Sequence, residues 1–291
     1  MFTLHNGDCL EVLPTIPSRS IDAIITDLPY GATACAWDEV IPFESMWKEV
    51  KRVLKPSGVF VSTAKQPFTS VLICSNIEWF KVEWIWHKNR AQGGFSSKYS
   101  PMKNHENIVV FCDGTPTFNK QMQKRFGDPH SSGKFIRVPE NMKSNIYGLS
   151  KKIRYTDTNK DSLSNPVTVQ FFKCVANQGK QRNIHSTQKP VALYEYLIKT
   201  YTNEGETVLD IAMGSGTTIE AAERTGRNSI GIEKDEGIFQ SAVLRLKSFT
   251  PSNNCLQPTA FGVDTQAQFS LLGSSQAEES PATHGGEACP L

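Results

Sequence analysis

The stretch ETVLDIAMGSGTTIEAAERTGRNSIGIEKD, residues 206–235, constrains the fold more than any other part of the chain. A β-branched run passes through a glycine turn, MGSGTT, into the helical pattern IEAAERTG and then into a second apolar run, NSIGIEKD. This strand–helix–strand order points to a mainly parallel, doubly wound α/β sheet with helices on both faces. Glycines at Gly214 and Gly216 let backbone approach a ligand closely, and the N-terminus of the helix behind the turn presents free N–H groups. Asp210 ends the first strand, and Glu233, 23 residues later, ends the second, where an acid accepts hydrogen bonds from ribose hydroxyls. A dinucleotide fingerprint would need a third glycine where Ile219 stands, and no GK[ST] phosphate loop occurs. An adenosine-bearing cofactor without a pyrophosphate fits better, and S-adenosylmethionine is such a molecule. The same turn would also serve as a plain tight turn in any α/β protein.

The N-terminal half repeats the alternation. Ile21–Thr26, IDAIIT, reads as a buried strand. FESMWKEVKRVLKPSG places Met46, Trp47, Val50, Val53 and Leu54 at helical spacing, with Pro56 and Gly58 as the stop. GVFVSTA, FKVEWIWHKN and ENIVVFC read as strands, PFTSVLICSNI as a helix. Farther on, TQKPVALYEYLIKTYT reads as a helix with Pro190 near its start, and EGIFQSAVLRLKSF as the last helix.

Behind the first buried strand comes DLPYG, Asp27 to Gly31. An acid at a strand end is ordinarily a turn residue or a cap, but a proline and an aromatic directly behind it suggest a clamp for a flat, nitrogen-bearing substrate. The exocyclic amine of a nucleobase is a poor nucleophile because its lone pair is delocalised into the ring. Acceptors on its N–H groups pull the nitrogen toward sp³. Asp27 offers a carboxylate, the Leu28 carbonyl a second acceptor, Pro29 a stiff backbone, and Tyr30 a ring face on which a flipped base stacks.

Charge divides the chain. Residues 113–184 hold 13 Lys+Arg and 5 Asp+Glu, a balance of +8, whereas 249–291 hold no base and four acids. The basic segment, irregular and polar, reads as an insertion suited to a polyanion, although a solvated lysine-rich loop has the same composition. Lys124, Arg125, Lys151, Lys152 and Arg154 are its candidate phosphate contacts. The tail, rich in Ser, Pro, Gly, Gln and Ala without periodicity, is expected to be disordered from about Pro251. Four segments result: a catalytic-motif half (1–112), a basic target-recognition insertion (113–184), a cofactor half (185–248) and the tail (249–291). Seven scattered cysteines without a CxxC pair argue against a zinc site or a disulfide framework. No apolar run reaches the roughly 18 residues of a membrane span, and MFTLHNGDCLEVL lacks the pattern of a secretory signal. The expectation is a reduced, cytoplasmic protein.

Three motifs together resemble a family. DLPY resembles the D-P-P-Y motif of the DNA amino-methyltransferases, LDIAMGSGTT their cofactor motif, and HSTQKP, His185 to Pro190, the H-P-T-Q-K-P signature that precedes the cofactor motif in the β-class order. The resemblance spans roughly residues 3–247. It implies a Rossmann-like methyltransferase fold, S-adenosylmethionine as cofactor and double-stranded DNA with a flipped target base as substrate. It also implies roles: Asp8 near the cofactor adenine, Thr187 at the methionine carboxylate, Glu233 on the ribose, and Asp210, Ala212, Gly214, Gly216 and Thr217 as the rest of the cofactor site. A homodimer and a paired restriction nuclease are compatible partners. The chain departs from the family at Leu28, where proline is usual, and at Ile211-Ala212, where an aromatic is common.

N6 of adenine is the expected target, because relatives that begin the motif with Asp mostly act on adenine. N4 of cytosine is the alternative within the class, and a silent DNA-binding module of the same fold the alternative outside it. Cytosine C5 chemistry is rejected, since no Pro-Cys dipeptide occurs. His105-Glu106 lacks the second His of a metalloprotease motif, and His105 reads as structural; Trp79, Trp84 and Trp86 read mainly as core. The basic insertion carries a prediction. Neutralising Lys151, Lys152 and Arg154 together should reduce the slope of log K against log salt for DNA binding by about 2–3, each phosphate contact being worth roughly 0.9. Fluorescence anisotropy over a salt series measures it.

Overall fold

Ile21–Thr26 is covered on both faces and flanked by strands on both sides. The computed structural model describes residues 1–31, 39–94, 97–124, 163–175 and 188–249. In chain order these give β1 (Phe2–Asn6), α1 (Cys9–Val12), β2 (Ile21–Thr26), α2 (Phe43–Val53), β3 (Leu54–Ala64), α3 (Phe68–Ser75), β4 (Phe80–Gln92) and β5 (Lys103–Cys112). There follow β6 (Gln123–Lys124), β7 (Leu163–Ser164), β8 (Val169–Phe171), α4 (Val191–Tyr201), β9 (Thr207–Asp210), α5 (Thr217–Arg224), β10 (Asn228–Glu233) and α6 (Glu236–Phe249).

Eight strands form one sheet in the order β1-β10-β9-β2-β3-β5-β4-β8, while β6 and β7 pair separately. From β1 to β3 every pairing is parallel; β5 runs antiparallel to both β3 and β4, and β8 is parallel to β4. The apolar runs that looked continuous in sequence alternate between two cores. Ile24, Phe60, Val109, Phe111 and Leu209 face α1, α2 and α3, where Trp47 meets Phe60 and Phe111 edge-on at 4.8 and 5.1 Å. Ala23, Ile25, Val59, Val61, Ile108, Val110 and Val208 face Leu193, Tyr194, Leu197 and Tyr201 of α4 and Ala221 and Ala222 of α5. Sheets covered on both faces need no polar positions in their central strands. Phe2, Met213, Ile219, Ala242 and Leu246 form a third cluster that seats α6.

Two details differ from the sequence reading. Helix α2 ends at Val53, because Leu54 is already extended (φ −67°, ψ 138°). Pro56 and Gly58 therefore do not stop the helix. They lie in an irregular opening of β3, where the register with β2 jumps from Ile21↔Leu54 to Ala23↔Val59. Second, Val169–Phe171, within the polar segment, extends the main sheet beside Ile85–His87. No described helix is long and apolar enough to cross a membrane. The tail from residue 250, and Arg125, Lys151, Lys152 and Arg154, lie outside the described residues.

The topology reverses between β9 and β2: from β2 the chain moves one way to β3, and from β9 the other way to β10, which pairs on its far side with the N-terminal strand β1. Ligands of doubly wound sheets bind outside the carboxyl ends of the strands at such a point. Gly231 of β10 marks how tightly the adjoining layer is built. A Cβ there would lie 2.5 Å from Met213 Sδ, 3.0 Å from Ile219 Cδ1 and 3.1 Å from Leu4 Cδ2. Gly231→Ala should cost about 1–3 kcal/mol, as overpacking does, read as a lowered urea midpoint with an unchanged slope.

Candidate active site

A cavity of about 920 Å³ opens at the carboxyl ends of β1, β2, β9 and β10. It is lined by Asp8 behind β1, Asp27, Leu28, Pro29 and Tyr30 behind β2, Asp210, Ala212, Gly214 and Thr217 around the β9–α5 turn, and Glu233 at the end of β10. Ten of the residues singled out in sequence thus share one cleft. Gly216 does not line it. With φ +76° it makes the turn into α5, and a Cβ there would approach Leu246 Cδ1 to 3.0 Å, so this glycine serves the seating of α6. Thr187 lies outside the described residues.

The glycine turn is held from three directions. Asp210, 2% exposed, accepts from the Ala212 N–H (3.1 Å) and from the Thr218 hydroxyl. Burial raises its pKa to about 6. Glu233 accepts from the Gly214 N–H with Oε2 and from the Asp235 N–H with Oε1, both at 2.9 Å, and burial raises its pKa too. Each of its oxygens keeps a lone pair for a further donor. From α6, Arg245 donates to the Ser215 carbonyl (2.5 Å) while pairing with Glu220. Nothing lies within 4 Å of a Cβ placed on Gly214 (φ +52°), so the turn presents bare backbone to the cavity. Asp8 caps α1 through the Leu10 N–H (2.9 Å) and pairs with Lys234 at 3.0 Å. Burial would raise its pKa, but the Leu10 N–H and the Lys234 ammonium bring it below the usual carboxylate range.

On the other side stands a charge cluster, buried at Glu106, Lys88 and Lys189 and partly exposed at Asp27 and Lys65. Asp27 Oδ1 accepts from the Tyr30 hydroxyl (2.5 Å) and from Thr63, and Oδ2 from the Lys189 ammonium. The Tyr30 ring rests on Phe68 at 5.2 Å, with Lys189 Nζ 5.8 Å from its centroid. Leu28, where the related motif has proline, is 3% exposed and anchors its backbone by burial in the core. Behind Lys189 lies Glu106 of β5, paired with Lys88 of β4, with Lys65 at 3.0 Å and with Lys189 at 3.7 Å. Burial would raise the Glu106 pKa, but the three ammonium groups bring it down to about 2. Burial likewise lowers the Lys189 pKa, and Asp27 and Glu106 more than offset it.

Lys189, Glu106, Lys88 and Lys65 were not among the residues singled out as site residues. Two signals were available for Lys189: it is the lysine of the HSTQKP motif, and it precedes Pro190 at the start of α4, where a cation opposes the helix dipole unless a carboxylate holds it. Trp84 is core, donating to the Tyr201 hydroxyl (2.8 Å); Trp86 is buried yet also lines the cavity, and Trp79 packs at the core edge.

A family profile described as DNA methylase matches residues 21–244. The chain belongs to that family. This methyltransferase is 29% identical over 255 residues to the type II methyltransferase M.HpaI of Haemophilus parainfluenzae, covering 83% of this chain and 73% of the relative. It is 27% identical over 281 residues to M.HinfI of Haemophilus influenzae, covering 88% and 71%. Among solved structures, the M1.HpyAVI–SAM complex superposes with TM-score 0.56 at 22% identity, over 84% of this chain and 99% of that one. The cytosine-N4-specific PvuII DNA methyltransferase superposes with TM-score 0.59 at 17% identity, over 87% and 90%. The fold is therefore that of the class I methyltransferases, and the protein is a β-class DNA amino-methyltransferase. Its cofactor is S-adenosylmethionine. The cleft suits that molecule: a bare-backbone turn at Gly214 and a carboxylate at Glu233 with lone pairs to spare.

The raised Asp210 pKa has a sign. An acid that protonates more readily when folded contributes stability below its unfolded pKa of 3.8, and that contribution is lost as pH rises through about 6. Asp210→Asn keeps acceptors and donors for Ala212 and Thr218 without the buried charge. Relative to this variant, the wild type should lose about 3 kcal/mol of unfolding free energy between roughly pH 4 and pH 7, measured by urea titration across pH.

Proposed function

We infer that the protein transfers a methyl group from S-adenosylmethionine to N6 of adenine in double-stranded DNA, on a base flipped out of the duplex into the cleft. The observation that carries this reading is the Asp27 carboxylate, which faces the same cavity as the Gly214 turn and Glu233. At about 920 Å³ the cavity lies at the upper end of small-molecule sites, which supports room for a cofactor and a base together. When bound, the cofactor supplies a methyl on a positively charged sulfur. In this reading the chain's own groups do the rest. Asp27 and the Leu28 carbonyl accept the amine N–H groups and localise the nitrogen lone pair. Pro29 and the buried Leu28 side chain hold those acceptors still, and Tyr30, fixed by Phe68 and by its bond to Asp27, offers a face for the base. Glu233 takes the ribose hydroxyls, Asp8 lies by the cofactor adenine, and Asp210 positions the turn.

Adenine is favoured because the motif begins with Asp; the local chemistry serves the cytosine amine equally. Segment 113–184 acts as the target-recognition region between the two halves of the domain. The type II naming of the relatives supports a role in restriction–modification, with a paired nuclease and a cytoplasmic setting.

Incubation with unmethylated DNA, followed by nucleoside mass spectrometry, tests the reading. N6-methyladenine is expected, and N4-methylcytosine as the sole product would transfer the assignment to cytosine. Asp27→Ala should abolish transfer while leaving S-adenosylmethionine affinity within about threefold, since among the described residues Asp27 bonds to Tyr30, Thr63 and Lys189 rather than to Glu233 or the Gly214 turn. Near-wild-type turnover in that variant would remove Asp27 from the chemistry.

A further inference from the structure

Asp27 carries more donors than an acceptor open to a substrate would hold. The Tyr30 and Thr63 hydroxyls take Oδ1, and the Lys189 ammonium takes Oδ2. Three of a carboxylate's roughly four lone-pair sites are therefore filled. Lys189 opposes the chemistry in a second way. Methyl transfer brings positive charge to the amine nitrogen, and an ammonium on the same carboxylate repels that charge.

Glu106 supplies an alternative position. Its Oε1 pairs with Lys65 and Lys88. Its Oε2 is buried and accepts no hydrogen bond among the described residues, yet it lies 3.7 Å from Lys189 Nζ. That separation is an ionic contact, about 1 Å longer than a charge-assisted hydrogen bond. We propose that Lys189 is a mobile counter-ion shared by two carboxylates: it rests on Asp27 while the cleft lacks a target base, and moves onto Glu106 Oε2 as the base enters, releasing Asp27 Oδ2 for the amine N–H. The displacement is small, and the lysine is paired at both ends of it, so it never faces the cost of a buried lone charge. Lys65 and Lys88 keep Glu106 ionised and ready. In this scheme Lys189 and Glu106 are positioning residues that act through Asp27. The proposal rests on the reading of Asp27 as the amine acceptor.

The test is a rescue. Glu106→Gln keeps the size of the side chain and removes the charge that receives Lys189. Its kcat should fall by about a hundredfold, with S-adenosylmethionine affinity, measured by calorimetry, unchanged. Replacing the lysine as well, in Glu106→Gln/Lys189→Met, should restore kcat at least about tenfold over Glu106→Gln, because nothing then occupies Asp27 Oδ2. Lys189→Met alone removes the competitor for Asp27 Oδ2 and so should not show the loss seen in Glu106→Gln. If Glu106→Gln does not fold, Glu106→Asp, which shortens the reach toward Lys189 by one methylene, takes its place, with the same rescue expected on adding Lys189→Met. A merely structural role for Glu106 would show no rescue on adding a second change in the same network. Wild-type kcat in Glu106→Gln, a double variant no faster than Glu106→Gln, or loss of turnover in Lys189→Met would each overturn the proposal. Asp27→Ala separates the two levels: its retained turnover would overturn the underlying reading, whereas its inactivity without rescue in the double variant would overturn only the mobile counter-ion.

Discussion

Parallel strands cannot be joined by a tight turn; each must be left at one end and entered again at the other. In this chain the rule sends the carboxyl ends of β1, β10, β9, β2 and β3 to a single edge. Whatever follows those strands is gathered there, however distant in sequence. Asp8, Asp27, Lys65, Asp210 and Glu233 each stand at or just beyond the end of a different strand, and all line the same cavity. The reversal between β9 and β2 opens the crevice that separates the turn at Gly214 from the acid at Asp27.

The two sides of that crevice are built on different physics. Around Gly214 the structure sets its acids against neutral donors: backbone N–H groups and the Thr218 hydroxyl answer Asp210 and Glu233, while the charged Arg245 ties back only a carbonyl of the turn. Burial there raises both acids' pKa values. Around Asp27 it uses full charges. Glu106 is as enclosed as those acids, yet three lysines carry its pKa the opposite way. Identical side chains are thus set to different tasks by their neighbours alone.

The sequence made the sheet's interior legible because buried strands and amphipathic helices repeat at different periods. IDAIIT and ETVLDIA became β2 and β9, and FESMWKEVKRV became α2. The opposite direction of β4 and β5 was not legible, since an apolar run reads alike whichever way it pairs. Nor was β1 singled out: only Phe2 of FTLHN is buried, and its partner β10 lies more than 200 residues away. In the site, the motif residues were legible because they cluster locally. The Lys65–Lys88–Glu106–Lys189 cluster was not, as its members come from four separate segments and only the fold makes them neighbours. The Tyr30 hydroxyl bond to Asp27 joins residues three apart, but the motif suggested only the ring.

The position of β2 has a consequence for how the chain is made. It is synthesised well ahead of β9, which covers one of its edges and is completed only at residue 210. Through most of synthesis the central strand can pair with β3 alone, leaving an apolar edge open to wrong partners. The turn at Gly214 waits longer still, because Arg245 is required to fasten Ser215. Such long-range closure slows folding and exposes unpaired strands on the way. Cofactor binding would therefore be among the last properties a nascent chain acquires, and the flux of correctly folded enzyme would depend on keeping that half-built sheet from aggregating.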